Sequence, residues 1–150
     1  MIPKKLLFES VQKNVVAALE EDLGPEDVTA SLIQENRPIL AKVISRQEAI
    51  FCGKFWVVET VKQISTQVSI NWQVDDGDRL KKDQLLFSLE GPAKPILSAE
   101  RTILNFCQFL SGTATKAHRY SQLLVNSKVQ ILDTRKTIPG LRIAQKYAIQ

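Results

Sequence analysis

Val68-Ser-Ile-Asn-Trp-Gln-Val74 sets four large apolar residues, Val68, Ile70, Trp72 and Val74, alternately with Ser69, Asn71 and Gln73. Successive side chains of a strand point to opposite faces, so this period of two predicts a half-buried strand. Asp75-Asp-Gly-Asp78 follows with turn chemistry: Gly77 is free to take a positive φ, and the aspartates can accept from nearby amides. Gln84 to Leu89 then reads as a second strand, which Gly91-Pro92 should end.

Toward the N-terminus the period changes to that of a helix. Trp56, Val57, Thr60, Val61 and Ile64 fall along one side of a helix over 55–64, and residues 40–50 read as a strand leading into Phe51-Cys-Gly-Lys54. Earlier still, Val11, Val15, Ala18 and Leu19 recur at helical spacing and Gly24-Pro25 supplies a stop, which predicts an amphipathic helix over 9–23. Glu20, Glu21 and Asp22 place three carboxylates in its last turn, where the helix dipole is already negative. That arrangement calls for cations from elsewhere in the fold.

Toward the C-terminus, Ser98 reads as an N-cap with Glu100 in the first turn. Ile103, Phe106, Cys107 and Leu110 make an i, i+3, i+4, i+7 stripe. Gly112 should interrupt this helix, after which Ala114, Ala117, Ser121 and Leu124 offer a small-residue face. His118 has no ligand-spaced neighbour and reads as structural or solvated.

In Val129-Gln-Ile-Leu-Asp-Thr-Arg-Lys-Thr-Ile-Pro-Gly140, Val129, Ile131 and Leu132 fit a short buried strand. The chain then turns polar at Asp133, Thr134, Arg135, Lys136 and Thr137, and a new helix starts from Leu141. In α/β folds ligand groups gather at the carboxyl ends of strands, where these residues would stand. Arg135 and Lys136 could hold a carboxylate or a phosphate there, the first through its planar fork and the second as a point charge. An ordinary surface pair is equally compatible with the residues alone.

Helices and strands thus alternate along the chain, which predicts an α/β fold. With 150 residues, 44% of them hydrophobic and 24% charged, the chain can bury a sizeable core as one domain, or as one domain and a piece of another. No apolar run approaches the roughly eighteen residues of a membrane span, and no signal-peptide pattern opens the sequence, so the expectation is a cytoplasmic protein without a membrane. Cys52 and Cys107 lack a metal-spaced partner and read as buried reduced thiols. The net charge of +4 is unevenly spread. Residues 1–100 carry 12 Lys+Arg against 15 Asp+Glu, and residues 101–150 carry 8 against 1. An anion would therefore bind in the last third, unless that charge is simply a solvated face. The cations are dispersed and no nucleic-acid motif accompanies them, which argues against nucleic acid.

Two resemblances bear on function. Val74 to Gly91 resembles the repeated half-motif of biotinyl and lipoyl carrier domains. Met occurs only at position 1, however, and no Asp-Lys pair is present, so the flanks of a modified lysine are missing and the likeness concerns fold rather than activity. The second resemblance covers nearly the whole chain. Its successive blocks are Glu21-Asp-Leu-Gly24 with Asp27-Val-Thr29, Asp76-Gly-Asp78, Ala99-Glu-Arg-Thr-Ile-Leu-Asn105, Leu110-Ser-Gly-Thr-Ala-Thr115, Ile131-Leu-Asp-Thr-Arg-Lys-Thr-Ile-Pro-Gly-Leu-Arg142 and Lys146-Tyr-Ala148. In that order they resemble the signatures of the quinolinate phosphoribosyltransferase family.

The resemblance implies an N-terminal open α/β sandwich domain over 1–126 with linking helices, then the first strand–helix unit of an incomplete α/β barrel over 127–150. It implies a pentosyltransferase of NAD biosynthesis that joins quinolinate to phosphoribosyl pyrophosphate with Mg²⁺, giving nicotinate mononucleotide, pyrophosphate and carbon dioxide. The complete enzyme would be a homodimer or higher homo-oligomer in which one subunit's N-terminal domain covers the other's barrel. By motif position Arg101 would reach the neighbouring subunit's site to hold a quinolinate carboxylate. Thr134, Arg135 and Lys136 would line the home site, and no catalytic residue is assigned. A nicotinate phosphoribosyltransferase or a molybdenum-locus paralogue is the alternative, disfavoured by the Leu-Asp-Thr-Arg-Lys-Thr block. The family's later glycine-rich segment, His-Arg pair, further Lys and acidic residues near Mg²⁺ do not occur here, since a barrel of this kind takes about 250 residues. The expectation is a truncated chain without turnover, in which residues 127–150 are loosely held or associate with other chains, because a lone strand has no ladder partners.

Overall fold

The computed structural model describes residues 2–24 and 37–150. Asp27-Val-Thr29 lies outside the described residues. The fold is α/β. Helix α1 spans Lys4–Leu23, starting earlier than the apolar period alone suggests because Pro3 presets its entry and its carbonyl accepts from the Leu7 amide at 3.0 Å. Its buried residues, Leu7, Val11, Val15 and Leu19, recur every four positions, and Gly24 ends it at φ 57°.

The stretch expected as one strand over 40–50 is two, β1 (Pro38–Ile44) and β2 (Ala49–Ile50). Between them Ser45 turns the chain: its amide donates to the Gln84 carbonyl, and its own carbonyl accepts from the Asp83 amide. Helix α2 (Lys54–Ile64) follows Gly53, whose φ of 137° lets the backbone enter the helix directly from Cys52. Strands β3 (Ser69–Trp72), β4 (Arg79–Leu80) and β5 (Leu85–Pro92) come next. The three-stranded sheet runs β1-β5-β3, all antiparallel, and β2 pairs with β4. The alternation read from 68–74 is present: Val68, Ile70 and Trp72 are half-buried and Val74 buried, while Ser69, Asn71 and Gln73 are exposed.

Helix α3 (Ala93–Leu123) corrects several expectations. Gly91-Pro92 does end the strand, but from within it: β5 includes both residues and the helix begins at the next one. Ser98 is not its N-cap but an interior residue whose hydroxyl donates to the Lys94 carbonyl at 3.0 Å, so Glu100 lies beyond the first turn. Pro95 is tolerated because first-turn amides have no partner inside a helix anyway. Gly112 does not interrupt the helix: α3 continues as one hydrogen-bonded rod on either side of it.

The rod supplies both cores. One set of its residues, Ile96, Ala99, Ile103 and Cys107, packs in the sheet core with Phe51, Val57 and Phe87, and another, Phe106, Leu110 and Ala114, packs against α1 and Trp56. Side chains of the Leu110-to-Thr115 block face the β2–α2 connection. The Ser111 hydroxyl accepts from the Cys52 amide at 3.0 Å, and the Thr115 hydroxyl accepts from the Ile50 amide at 2.8 Å.

Residues 129–132 form no strand. Val129, Ile131 and Leu132 are exposed, because no strand edge among the described residues stands beside them to complete a ladder. The expectation that everything from 127 onward is loosely held fails for the last turns. Helix α4 (Arg142–Ile149) is docked, with Ala144 and Ala148 buried among Leu7, Val11, Val15 and Phe106. Small side chains allow this close approach. No helix among the described residues is long and apolar enough to cross a membrane.

Candidate active site

Arg101 stands on an exposed face of α3, and its Nη1 lies 2.7 Å from Asp22 Oδ1 in the last turn of α1. It is the cation that the acidic helix end requires. The guanidinium side chain is 66% exposed while Asp22 is 15% exposed, so the carboxylate is anchored and the arginine keeps free donors for a ligand. Both line a shallow open depression of about 290 Å³ together with Ser98, Glu100, Asn105 and Gln108.

Thr134, Arg135 and Lys136 lie together on an exposed loop before α4. The Thr134 hydroxyl accepts from the Lys136 amide at 3.1 Å, a local turn that sets the two cations side by side. Among the described residues neither Arg135 nor Lys136 forms an ion pair, and no hydrogen bond joins this loop to Arg101. The neighbouring charges are paired: Lys146 Nζ lies 2.5 Å from Asp133 Oδ2.

One cluster escaped the residue-by-residue reading. Asp76 Oδ1 accepts from the Gly53 and Lys54 amides at 2.7 and 3.0 Å, and Oδ2 accepts from the Tyr147 hydroxyl at 2.7 Å. A carboxylate at the first amides of α2 is favoured by the helix dipole, and the adjacent Asp75 pairs with Lys54. Burial, reinforced by the hydrogen bond to Asp76 and its charge, drives the Tyr147 phenol well above its ordinary range. Asp76-Gly-Asp78 and Lys146-Tyr-Ala148 are visible as signatures, but nothing local says that one receives the other. Of the remaining titratable groups, His118 Nε2 lies 3.0 Å from Arg79 Nη2 near the surface. Both thiols are free and buried; burial first, then the Asp76 charge, raises Cys52 strongly and pushes Cys107 up to about 12. Neither is a ready nucleophile. No three His, Cys, Asp or Glu side chains among the described residues gather as a metal site.

Residues 27–111 match the family described as quinolinate phosphoribosyl transferase, N-terminal domain, and residues 113–150 match its C-terminal domain. A probable nicotinate-nucleotide pyrophosphorylase (carboxylating) of Bacillus subtilis is 37% identical over 130 residues, covering 87% of this chain and 45% of that protein. The nicotinate-nucleotide pyrophosphorylase (carboxylating) of Mycobacterium leprae is 31% identical over 148 residues, or 95% of this chain and 52% of that one. Among solved structures, the nicotinate-nucleotide pyrophosphorylase of Francisella tularensis matches with a TM-score of 0.91 at 40% identity, over 99% of this chain and 51% of that one. The chain thus spans about half the length of these relatives.

Proposed function

The chain belongs to the quinolinate phosphoribosyl transferase family, and from that premise we propose that it carries the dicarboxylate-binding residues of a carboxylating nicotinate-nucleotide pyrophosphorylase. The observation that carries this reading is a pair of cations without an ion-pair partner among the described residues, Arg135 and Lys136, held side by side on a loop that α4 fastens to the core. Quinolinate bears two carboxylates, and an arginine fork beside a lysine matches one of them with charge-assisted hydrogen bonds. Arg101, steadied by Asp22 and far more exposed than its partner, suits the second carboxylate, presented to a site in a second copy of the chain. The complete enzyme is then a cytoplasmic homodimer or higher homo-oligomer in which each site takes Arg101 from one subunit and Thr134, Arg135 and Lys136 from the other.

In that enzyme the pyridine nitrogen forms a bond to the ribose carbon of phosphoribosyl pyrophosphate while the bond to pyrophosphate breaks. Loss of the 2-carboxylate as carbon dioxide leaves an electron pair that the cationic ring nitrogen stabilises, and a proton completes nicotinate mononucleotide. The residues of this chain bind and orient; cationic side chains offset the charge of the dianion and hold the nitrogen toward the ribose. Mg²⁺, when bound, would offset the charge of the departing pyrophosphate.

The test is a calorimetric titration of the purified chain with quinolinate, and with nicotinate as a monocarboxylate control. Binding should be weak, salt-sensitive and selective for quinolinate. Arg135→Ala should raise Kd about fivefold, the equivalent of ~1 kcal/mol for a solvent-exposed charge pair. Equal affinity for both acids, or no effect of Arg135→Ala, would count against the assignment.

A further inference from the structure

Two signatures with no evident chemistry of their own, Asp76-Gly-Asp78 and Lys146-Tyr-Ala148, are 71 positions apart at their point of contact and meet in one hydrogen bond. We propose that Asp76 and Tyr147 are positioning residues, a latch that sets the pose of the Thr134–Lys136 substrate loop on the N-terminal core. The inference deepens the dicarboxylate reading above and rests on it.

Asp76 is a rigid receiver. Two backbone amides at the start of α2 hold Oδ1, which leaves Oδ2 aimed at a single donor, the Tyr147 hydroxyl at 2.7 Å. The tyrosine ring is wedged between aromatic neighbours, with its centroid 5.7 Å from that of Phe55 and 5.6 Å from that of Trp56. Rotation and register of α4 are thereby fixed from one side.

The side chains of α4 then fix the loop. Gln145 Oε1 accepts from the Ile138 amide at 2.6 Å, Lys146 Nζ meets Asp133 Oδ2 at 2.5 Å, and Arg142 Nε reaches the Thr137 hydroxyl at 3.4 Å. From α1, the Asn14 amide group donates to the Gly140 carbonyl at 3.1 Å. Asp133, Thr137 and Ile138 bracket Thr134–Lys136, so these tethers lie beside the residues that face a ligand and none consumes them. The loop has no ladder of its own, which leaves α4 as the main element that places it, with α1 adding the Asn14 tether. A phenol is protonated at neutral pH in any case, so the latch donor is in place there.

Tyr147→Phe removes the latch donor and keeps the ring packing. Amide hydrogen exchange of Ile138 and Leu141 should accelerate about tenfold, while amides of α2 and the first half of α3 stay unchanged. The quinolinate Kd should rise as well, by up to the roughly fivefold expected of Arg135→Ala, in proportion to the competent fraction of loop poses that is lost. Gln145→Ala, which cuts the next link, should reproduce both effects in part. Unchanged loop exchange in Tyr147→Phe overturns the latch. So does faster loop exchange with an unaltered Kd in a chain whose affinity does fall on Arg135→Ala, since the hydrogen bond would then be structural only. If Arg135→Ala leaves quinolinate binding untouched, the dicarboxylate reading fails, and the ligand-free exchange measurement still decides whether Asp76 and Tyr147 set the loop.

Discussion

An alanine Cβ at position 91 would stand 2.8 Å from the Gln67 carbonyl oxygen and 3.1 Å from the Val68 Cα, both backbone atoms that cannot swing away. Gly91→Ala should therefore cost about 2 kcal/mol or more, read as a fall in the urea midpoint without a change in slope; an unchanged midpoint would mean that the β3 approach relaxes freely. In the sequence this glycine reads only as strand punctuation, because close approach of another backbone leaves no trace in local pattern. The same limit governs the site. Arg101, Thr134, Arg135 and Lys136 enter the proposed site because their blocks are specific in order and composition. The acidic last turn of α1 announces a cation, and Arg101 fills that place at Asp22. Asp76 and Tyr147 belong to two signatures that nothing local joins, since a hydrogen bond across 71 positions is a product of packing.

At the scale of elements, period carries most of the reading and punctuation misleads it. The alternation over 68–74 and the helical stripes of α1 and α2 reflect which face is buried, so they survive in the fold. Residues usually taken as stops act as stops at some positions and not at others. Pro92 closes a strand and Pro95 sits where a helix needs no amide, while Gly112 leaves α3 unbroken, with Leu110 and Ala114 buried on either side of it. The effect of this glycine is testable. Gly112 has a helical backbone and open space where a Cβ would go. Gly112→Ala should stabilise the chain by roughly 0.5 to 1 kcal/mol, through lost freedom of the unfolded state, and thermal melts should shift upward by a few degrees. A downward shift would indicate that α3 bends at this point or that another surface covers it. Residues 129–132 show the opposite failure, an apolar run read as a strand from composition. A strand is a relation between segments, and no described segment offers Val129, Ile131 and Leu132 a ladder.

Across the whole molecule, the two cores meet along α3, and the buried titratable groups lie where the helical core meets the turn carrying Asp76. Composition could predict that Cys52 and Cys107 are buried, but not that Asp76 lies close enough to oppose their ionisation. Cys52, Cys107 and Tyr147 share one direction of shift, upward, with burial the largest cause in each case. The sign of the consequence follows from proton counting. In the unfolded chain the thiols ionise near their ordinary 9.0 and the phenol near 10.0, while the folded chain still holds those protons. The unfolded state therefore gains from alkali first. The stability these groups contribute is fully present below pH 9, begins to fall as the thiols of the unfolded state ionise, and falls further above pH 10 when its phenol does so. For Cys107 the loss continues until pH approaches about 12, where the folded thiol ionises too. Urea midpoints measured at about pH 7.5, 9.5 and 10.8 should decline in that order. Tyr147→Phe, less stable at neutral pH for want of its hydrogen bond, should lose less between the last two points than the wild-type chain, and Cys107→Ala should lose less between the first two. A Tyr147→Phe profile parallel to wild type above pH 10 would show that the phenol ionises in the folded chain as it does in water, and that Asp76 and the surrounding rings do not hold its proton.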